Sequence, residues 1–215
     1  MKRLFDILIS LYLLIILSPL LIIVIIILRF SGEGEVFYRQ ERMGYGYKPF
    51  FITKFATMVK DSPSIGTGEI TLQNDPRVLP MGKFLRKSKI NEFPQFWDIL
   101  IGNMSFVGPR PQTVKTAAMF PEKYQDVLKR TKPGITGIGS IVFRDEEDIL
   151  SRAEDYDAVF KNKIIPFKAT VEKWYVDNRS FWLDYKLCFI TLWVIAFPKS
   201  KILQKAFPSL PVFEE

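Results

Sequence analysis

The sequence predicts a helix-rich α/β monotopic membrane protein. A re-entrant N-terminal membrane helix precedes a small globular cytosol-facing domain with interfacial amphipathic helices and few short strands. Three observations carry this fold class. Leu4 to Leu28 is almost entirely apolar, Val36 to Met58 carries apolar and aromatic residues at both ends of a Gly-containing middle, and a Trp-containing apolar stretch lies near the C-terminus. The expected division is residues 1–30 for the membrane helix, 31–197 for the cytosol-facing domain and 198–215 for a tail.

The Leu4–Leu28 segment is interrupted only by Asp6, Ser10, Ser18 and Pro19. At ~1.5 Å per residue it reaches ~37 Å, enough for a ~30 Å hydrocarbon core. Its length and the lack of a small-residue cleavage site argue against a signal peptide. Lys2 and Arg3 precede it and Arg29 follows it, so a spanning orientation would strand two cations on the outer face. Ser18-Pro19 lies near the middle, where proline removes a helix hydrogen bond and allows a kink. Re-entry is the expectation, with a single-pass anchor as the alternative.

The 215 residues suffice for one domain of ordinary size, and a hydrophobic share of 48% excludes a disordered chain. A net charge of +7 suits an anionic partner. A nucleic-acid binder would account for the charge but not for the membrane segment. Cys188 is the lone cysteine and there is no histidine, so a disulfide and a Cys/His metal site are excluded. Acid–base chemistry must come from carboxylates, lysines or tyrosines.

Within 36–58, two short extended segments flank Gly44 and Gly46, or a strand adjoins an irregular loop. Residues 60–80 are rich in Ser, Gly, Thr, Asn and Pro and read as a loop, without a P-loop signature. Phe93, Phe96, Trp97 and Leu100 recur at helical spacing, with Pro94 admissible only in a first turn and Gly102 placed to end the helix. That start, near Asn91-Glu92, follows the cations Arg86, Lys87 and Lys89. Unpaired N–H groups there could hold a phosphate, and Glu92 could bind metal or transfer protons. Equally, Asn91 serves as an N-cap and Glu92 complements the helix dipole. Gly108-Pro109-Arg110-Pro111 sets one guanidinium between two prolines. Thr113–Arg130 reads as a packing helix. The carboxylates of Arg144–Asp157 read as a solvated face. Leu187–Phe197 is too short to span and suits a helix at the interface, or an ordinary core helix. The tail is expected to dock on the membrane or stay mobile.

The run Ser88-Lys89-Ile90-Asn91-Glu92-Phe93-Pro94-Gln95-Phe96, with Gly102-Asn103-Met104-Ser105-Phe106-Val107-Gly108-Pro109-Arg110-Pro111, resembles the bacterial sugar transferase family, the monotopic phosphoglycosyl transferases. Further matches are Gln40, Arg42, Gly44, Phe50, Lys54, Phe55, Thr57 and Met58, then Asp75-Pro76-Arg77, Gly82–Arg86 and Lys132-Pro133-Gly134-Ile135-Thr136-Gly137. The resemblance covers almost the whole chain. It implies transfer of a sugar phosphate from a UDP-sugar to undecaprenyl phosphate with Mg²⁺, on the cytosolic face of the bacterial inner membrane, initiating a surface glycan. It supports re-entry of the N-terminal helix. Lys54, Arg77, Arg86, Arg110, Lys132, Gly134 and Thr136 become candidate substrate contacts. Nucleic acid is not an expected partner, whereas a second copy or downstream glycosyltransferases are compatible ones.

The family's catalytic Asp-Glu dyad falls on Asn91 and Glu92, the candidate catalytic and metal-binding pair. A carboxamide is a far poorer nucleophile than a carboxylate and a weaker Mg²⁺ ligand. Ala56 and Asn103 also depart from the usual cation and Asp. Three readings stay open: Glu92 as nucleophile or as metal ligand for direct attack by the lipid phosphate; an introduced substitution at Asn91; or an inactive relative acting as a membrane scaffold.

Overall fold

A computed structural model describes residues 1–68, 70–72, 74–198 and 200–213. The chain divides into two compact units, the first comprising Met1, Arg3–Glu41 and Phe51–Gly102, the second Lys2, Arg42–Phe50 and Asn103–Glu215. The helix-rich α/β expectation holds, with two small two-stranded sheets among the described residues.

The chain opens with α1 (Lys2–Arg29), the one helix among the described residues long and apolar enough to cross a membrane. The helix is continuous through Pro19, so Ser18-Pro19 does not interrupt it, and re-entry requires a kink within the helix. The local reason is visible. Proline cannot donate to the carbonyl four residues back, at Ile15, and the Ser18 hydroxyl donates to that carbonyl instead at 2.7 Å. The C-terminal half of α1 is glued down by apolar packing. Val24 and Leu28 join a core with Phe55 and Leu85, against which Leu20, Leu21, Ile25, Val36, Met81 and Ile90 pack. At its start, Arg3 donates to the carbonyls of Ile99 and Leu100 at 2.6 and 2.7 Å.

Next, β1 (Phe37–Met43) and β2 (Pro49–Phe55) pair around a turn at Tyr45–Tyr47, where Gly46 takes φ +73. The two extended segments read from the sequence are these strands. Phe37 stacks on Phe55 at 5.5 Å. After the 60–80 loop comes α2 (Pro80–Lys87), which approaches Thr57 so closely that a Cβ on Gly82 would lie 2.0 Å from its carbonyl oxygen. A 3-10 turn, Ile90–Glu92, precedes α3 (Gln95–Ile101), whose end is closed by Gly102 at φ +95. The α-helix proper therefore starts after Pro94, and Asn91-Glu92 occupy the turn that enters it.

The second unit is built around β3 (Ser105–Val107) and, after α4 (Val114–Ala117) and α5 (Glu122–Arg130), the strand β4 (Gly134–Thr136). The single helix expected over 113–130 is two, because Pro121 cannot continue α4 and instead caps α5. The strands β3 and β4 run parallel, pairing Ser105 with Gly134 and Val107 with Thr136. Then follow α6 (Ile138–Val142), α7 (Glu146–Arg152), α8 (Tyr156–Val159), a π turn at Phe160–Ile164, α9 (Ile165–Asp177), α10 (Phe181–Ala196) and α11 (Ile202–Ala206). Tyr124, Leu128, Ile138, Ile165, Tyr175 and Leu187 are fully buried and form this unit's core. Hydrophobic burial of this kind is its main stabilising term. The tail folds back on the same unit: Phe207 meets the Trp174 ring at 5.6 Å, and Phe213 meets Phe143 and Phe167 at 4.9 and 5.2 Å. Phe207 and Leu210 gain more from burial there than from staying in solvent, which overrides the mobile-tail expectation.

Candidate active site

In the first unit, Lys54 projects from β2 and Glu92 from the turn before α3, and their Nζ and Oε1 atoms lie 3.7 Å apart. Both side chains are largely shielded, at 17% and 13% exposure. Sparse water strengthens the attraction between them. Asn91, beside Glu92, is buried, and its Oδ1 has no hydrogen-bond partner. A buried bare carbonyl oxygen is costly, so such an atom marks a place built for something else.

That oxygen and the Glu92 carboxylate are the hard-donor pair Mg²⁺ prefers, the ion taking its remaining ligands from phosphates and water. The donors present fit the ion. Among the described residues, no group of three or more His, Cys, Asp or Glu side chains converges as a complete protein cage.

Behind this pair stands Asp98, which sequence reasoning missed. It is buried on α3, and one carboxylate oxygen accepts the Thr53 N–H at 3.0 Å. That bond fastens β2 to α3 one residue from Lys54. Burial pushes the Asp98 carboxyl up to about 6, opposed by the Thr53 bond and the charge of Arg39.

Arg77 does not point at open space. It is 5% exposed and donates to the Asp75 carboxylate, to the carbonyls of Ser62, Ile65, Gly68 and Ile70, and to the Thr67 hydroxyl. The guanidinium is the hub of the 60–80 loop. Arg86, in the last turn of α2, is half-buried.

In the second unit, Arg110 and Lys132 are half-buried and follow or precede the paired strands. The glycines nearby serve the backbone. A Cβ on Gly134 would lie 2.2 Å from the Gly108 nitrogen, and one on Gly108 would lie 2.3 Å from the Lys132 carbonyl oxygen. The close approach expected toward a phosphate is made toward another strand. Thr136 is buried, with its hydroxyl 2.6 Å from that of Thr191 on α10. The Arg110 peptide is held from three sides: its N–H donates to Glu172 Oε1 at 3.2 Å, and its carbonyl accepts from Tyr124 Oη at 3.0 Å and Gln112 Nε2 at 3.1 Å. At the end of β3, the Val107 carbonyl accepts from Lys2 Nζ at 2.8 Å, and Lys2 also pairs with Asp184, which accepts from Tyr175 Oη at 2.6 Å. Lys2 thus has a buried-network partner beyond any role at a membrane surface.

A sequence model of the bacterial sugar transferase family matches residues 1–198. The chain belongs to the bacterial sugar transferase family. Among its relatives, the UDP-glucose:undecaprenyl-phosphate glucose-1-phosphate transferase of Klebsiella pneumoniae is 36% identical over 89% of this chain and 39% of its own length. The undecaprenyl-phosphate galactose phosphotransferase of Salmonella typhimurium is 31% identical over 91% of this chain and 40% of its own length. The uncharacterized sugar transferase EpsL of Bacillus subtilis is 34% identical over 89% of this chain and 85% of its own length. This family member therefore spans about two fifths of the first two relatives and most of the third.

Proposed function

We propose that this sugar transferase family member moves a sugar phosphate from a UDP-sugar to undecaprenyl phosphate, releasing UMP and initiating a surface glycan. The observation that carries the reading is the shielded Lys54–Glu92 pair beside the bare Oδ1 of Asn91. Relatives named for this reaction support it.

Glu92 is the reactive carboxylate. Its oxygen attacks the sugar-bearing phosphorus, the phosphorus–oxygen bond to UMP breaks, and UMP leaves with the bonding electron pair. A lipid-phosphate oxygen then attacks the same phosphorus, forming the new diphosphate and returning the carboxylate to Glu92. Lys54 pairs with Glu92 and offsets charge gathering on the phosphoryl oxygens. Asn91 Oδ1 and Glu92 are the residues that would hold Mg²⁺, which when bound neutralises diphosphate charge. Arg86, Arg110 and Lys132 are assigned to anion recognition. Arg77, Gly134 and Thr136 are assigned to the scaffold, because their polar atoms or free space are taken by other parts of their own unit.

Placement on the cytosolic leaflet of the inner membrane, with re-entry of α1, follows from the same reading. Within the first unit, Arg3 is tied to the end of α3 and Leu28 is buried with Phe55 and Leu85, so both ends of α1 are held by one body. A helix crossing the bilayer would leave one end without such a partner. On α10, Trp182, Tyr185, Phe189 and Leu192 are exposed at helical spacing, as an interfacial face requires.

The test is UMP release from a panel of UDP-sugars with Mg²⁺, for the chain as it stands and for Asn91→Asp and Glu92→Gln. Release that Glu92→Gln abolishes supports the reading. A one-equivalent burst without lipid indicates the covalent route, and release only with lipid indicates direct attack. Activity confined to Asn91→Asp overturns turnover by this chain and favours the scaffold role.

A further inference from the structure

The Arg110 peptide is clamped by three buried side chains from different segments, and Glu172 differs from the other two. Glu172 is 2% exposed on α9, and α6 makes room for it with Gly139, where a Cβ would lie 2.3 Å from Glu172 Oε1. Its Oε1 accepts the Arg110 N–H, but its Oε2 is buried without a hydrogen-bond partner. A glutamine would satisfy the Arg110 amide equally well. Holding a titratable group there costs desolvation energy, which a purely structural acceptor would not need to incur.

We propose that Glu172 is a positioning residue for Arg110 whose proton is coupled to occupancy of the Arg110 guanidinium by a phosphate-type anion. The inference rests on the reading above only in taking Arg110 as an anion contact.

The charges around Glu172 define the coupling. Arg110 faces it from the Gly-Pro-Arg-Pro segment, Lys168 and Tyr175 from its own helix, and Tyr124 from α5. Lys168 is shared with Glu146 at 2.6 Å, and Lys161 and Lys163 on the π turn are exposed. The sequence of α6, Ile-Gly-Ser-Ile-Val, carries no titratable group. Burial raises the Glu172 carboxyl to about 8, while the Arg110 N–H and the Lys168 and Arg110 charges oppose the rise. An anion on Arg110 cancels one of those opposing charges, so the bound state holds the Glu172 proton more tightly than the free state. By reciprocity, a protonated Glu172 favours the anion. Affinity is therefore highest below about pH 8 and falls as pH rises through it. An upward shift of one unit on binding corresponds to about a tenfold weaker affinity at high pH.

The experiment uses the full chain in nanodiscs, with inorganic pyrophosphate as the probe. Binding is measured at about pH 6.5 and about pH 9.5 for the wild type and Glu172→Gln. In parallel, the carboxyl carbon signal missing from the variant is titrated in the wild type, with and without pyrophosphate. The expected result is a pH-dependent loss of affinity roughly tenfold larger in the wild type than in the variant, and a carboxyl midpoint near 8 that pyrophosphate raises. Equal pH dependence in the two proteins, an unmoved midpoint, or no pyrophosphate binding overturns the inference. If Glu172→Gln fails to fold, Glu172→Asp identifies the signal by its shift and the wild-type titration decides. UMP release with an unmoved midpoint removes this inference and leaves the transferase reading. A moving midpoint without UMP release does the reverse.

Discussion

Replacing Arg77 with alanine separates a scaffold role from a substrate contact. The side chains of Arg77 and Asp75 are 5% and 4% exposed, and the pair is closed at 2.5 Å. Removing the cation leaves the Asp75 charge buried and strips donors from four carbonyls and the Thr67 hydroxyl. Breaking a buried pair from one side costs about 3–5 kcal/mol, which for a chain of this size lowers the melting temperature by roughly 6–20 °C. Arg77→Lys should recover little, since one ammonium cannot reach so many acceptors. Removing both partners in an Asp75→Ala, Arg77→Ala double variant should cost less than the sum of the single changes. The Arg77 bond also holds the Asp75 carboxyl below its usual value, so this stabilisation is full above pH 3.8 and is lost below it, as pH falls through the lower folded value. Thermal unfolding and limited proteolysis of the 60–80 loop read the effect. An Arg77→Ala variant that melts within 2 °C of wild type, resists protease equally and shows only a raised KM would refute the scaffold assignment.

Three further outcomes are expected. Asp98 has a folded pKa of about 6 against 3.8 for an ordinary Asp, so its ionisation opposes folding. The protonated form's contribution is full below 3.8 and is lost as pH rises through about 6. Asp98→Asn should raise stability above pH 6 by on the order of 1–2 kcal/mol after solvent screening, with no gain near pH 4, and a less stable variant at pH 8 would contradict this. Gly134→Ala, whose Cβ would meet the Gly108 nitrogen at 2.2 Å, should destabilise the second unit by about 1–3 kcal/mol or more, as read by circular dichroism melting. In a variant keeping Trp182 as its sole tryptophan, brominated lipids should quench the indole fluorescence; unquenched emission would remove α10 from the interface.

The sequence is most legible where local rules decide the structure. Glycines at 44 and 46 announce the β1–β2 turn, and Gly102 ends α3 because only a residue tolerant of positive φ closes a helix that way. Lys54 and Glu92 come from separate segments, yet both stand out as charges among apolar neighbours. What stays hidden is tertiary. Glu172 and Asp98 look like solvated residues on helices, yet Glu172 is buried where α6 packs on α9, and Asp98 is buried with its carboxylate on the Thr53 N–H of β2. Arg77 reads as an anion contact until the loop closes over it. The Asp-Pro-Arg spacing does hold a clue, since a carboxylate two residues away is a ready partner. The Pro121 break was written in the chain but masked by the helical periodicity on either side.

Ser18 alters what a proline means to the lipid around it. A carbonyl stripped of its partner in hydrocarbon normally recruits water or a second helix. Because the Ser18 hydroxyl covers Ile15, the flank of α1 carries isoleucine and leucine side chains but no abandoned acceptor at that point. The proline can therefore kink α1 without leaving a bare carbonyl in the midsection. The ends of α1 are fixed by contacts within the first unit, a guanidinium seated on two carbonyls and a leucine sunk in a core. A residue inserted in the middle, which turns one end against the other by about 100°, should therefore break the seat of Arg3 or of Leu28.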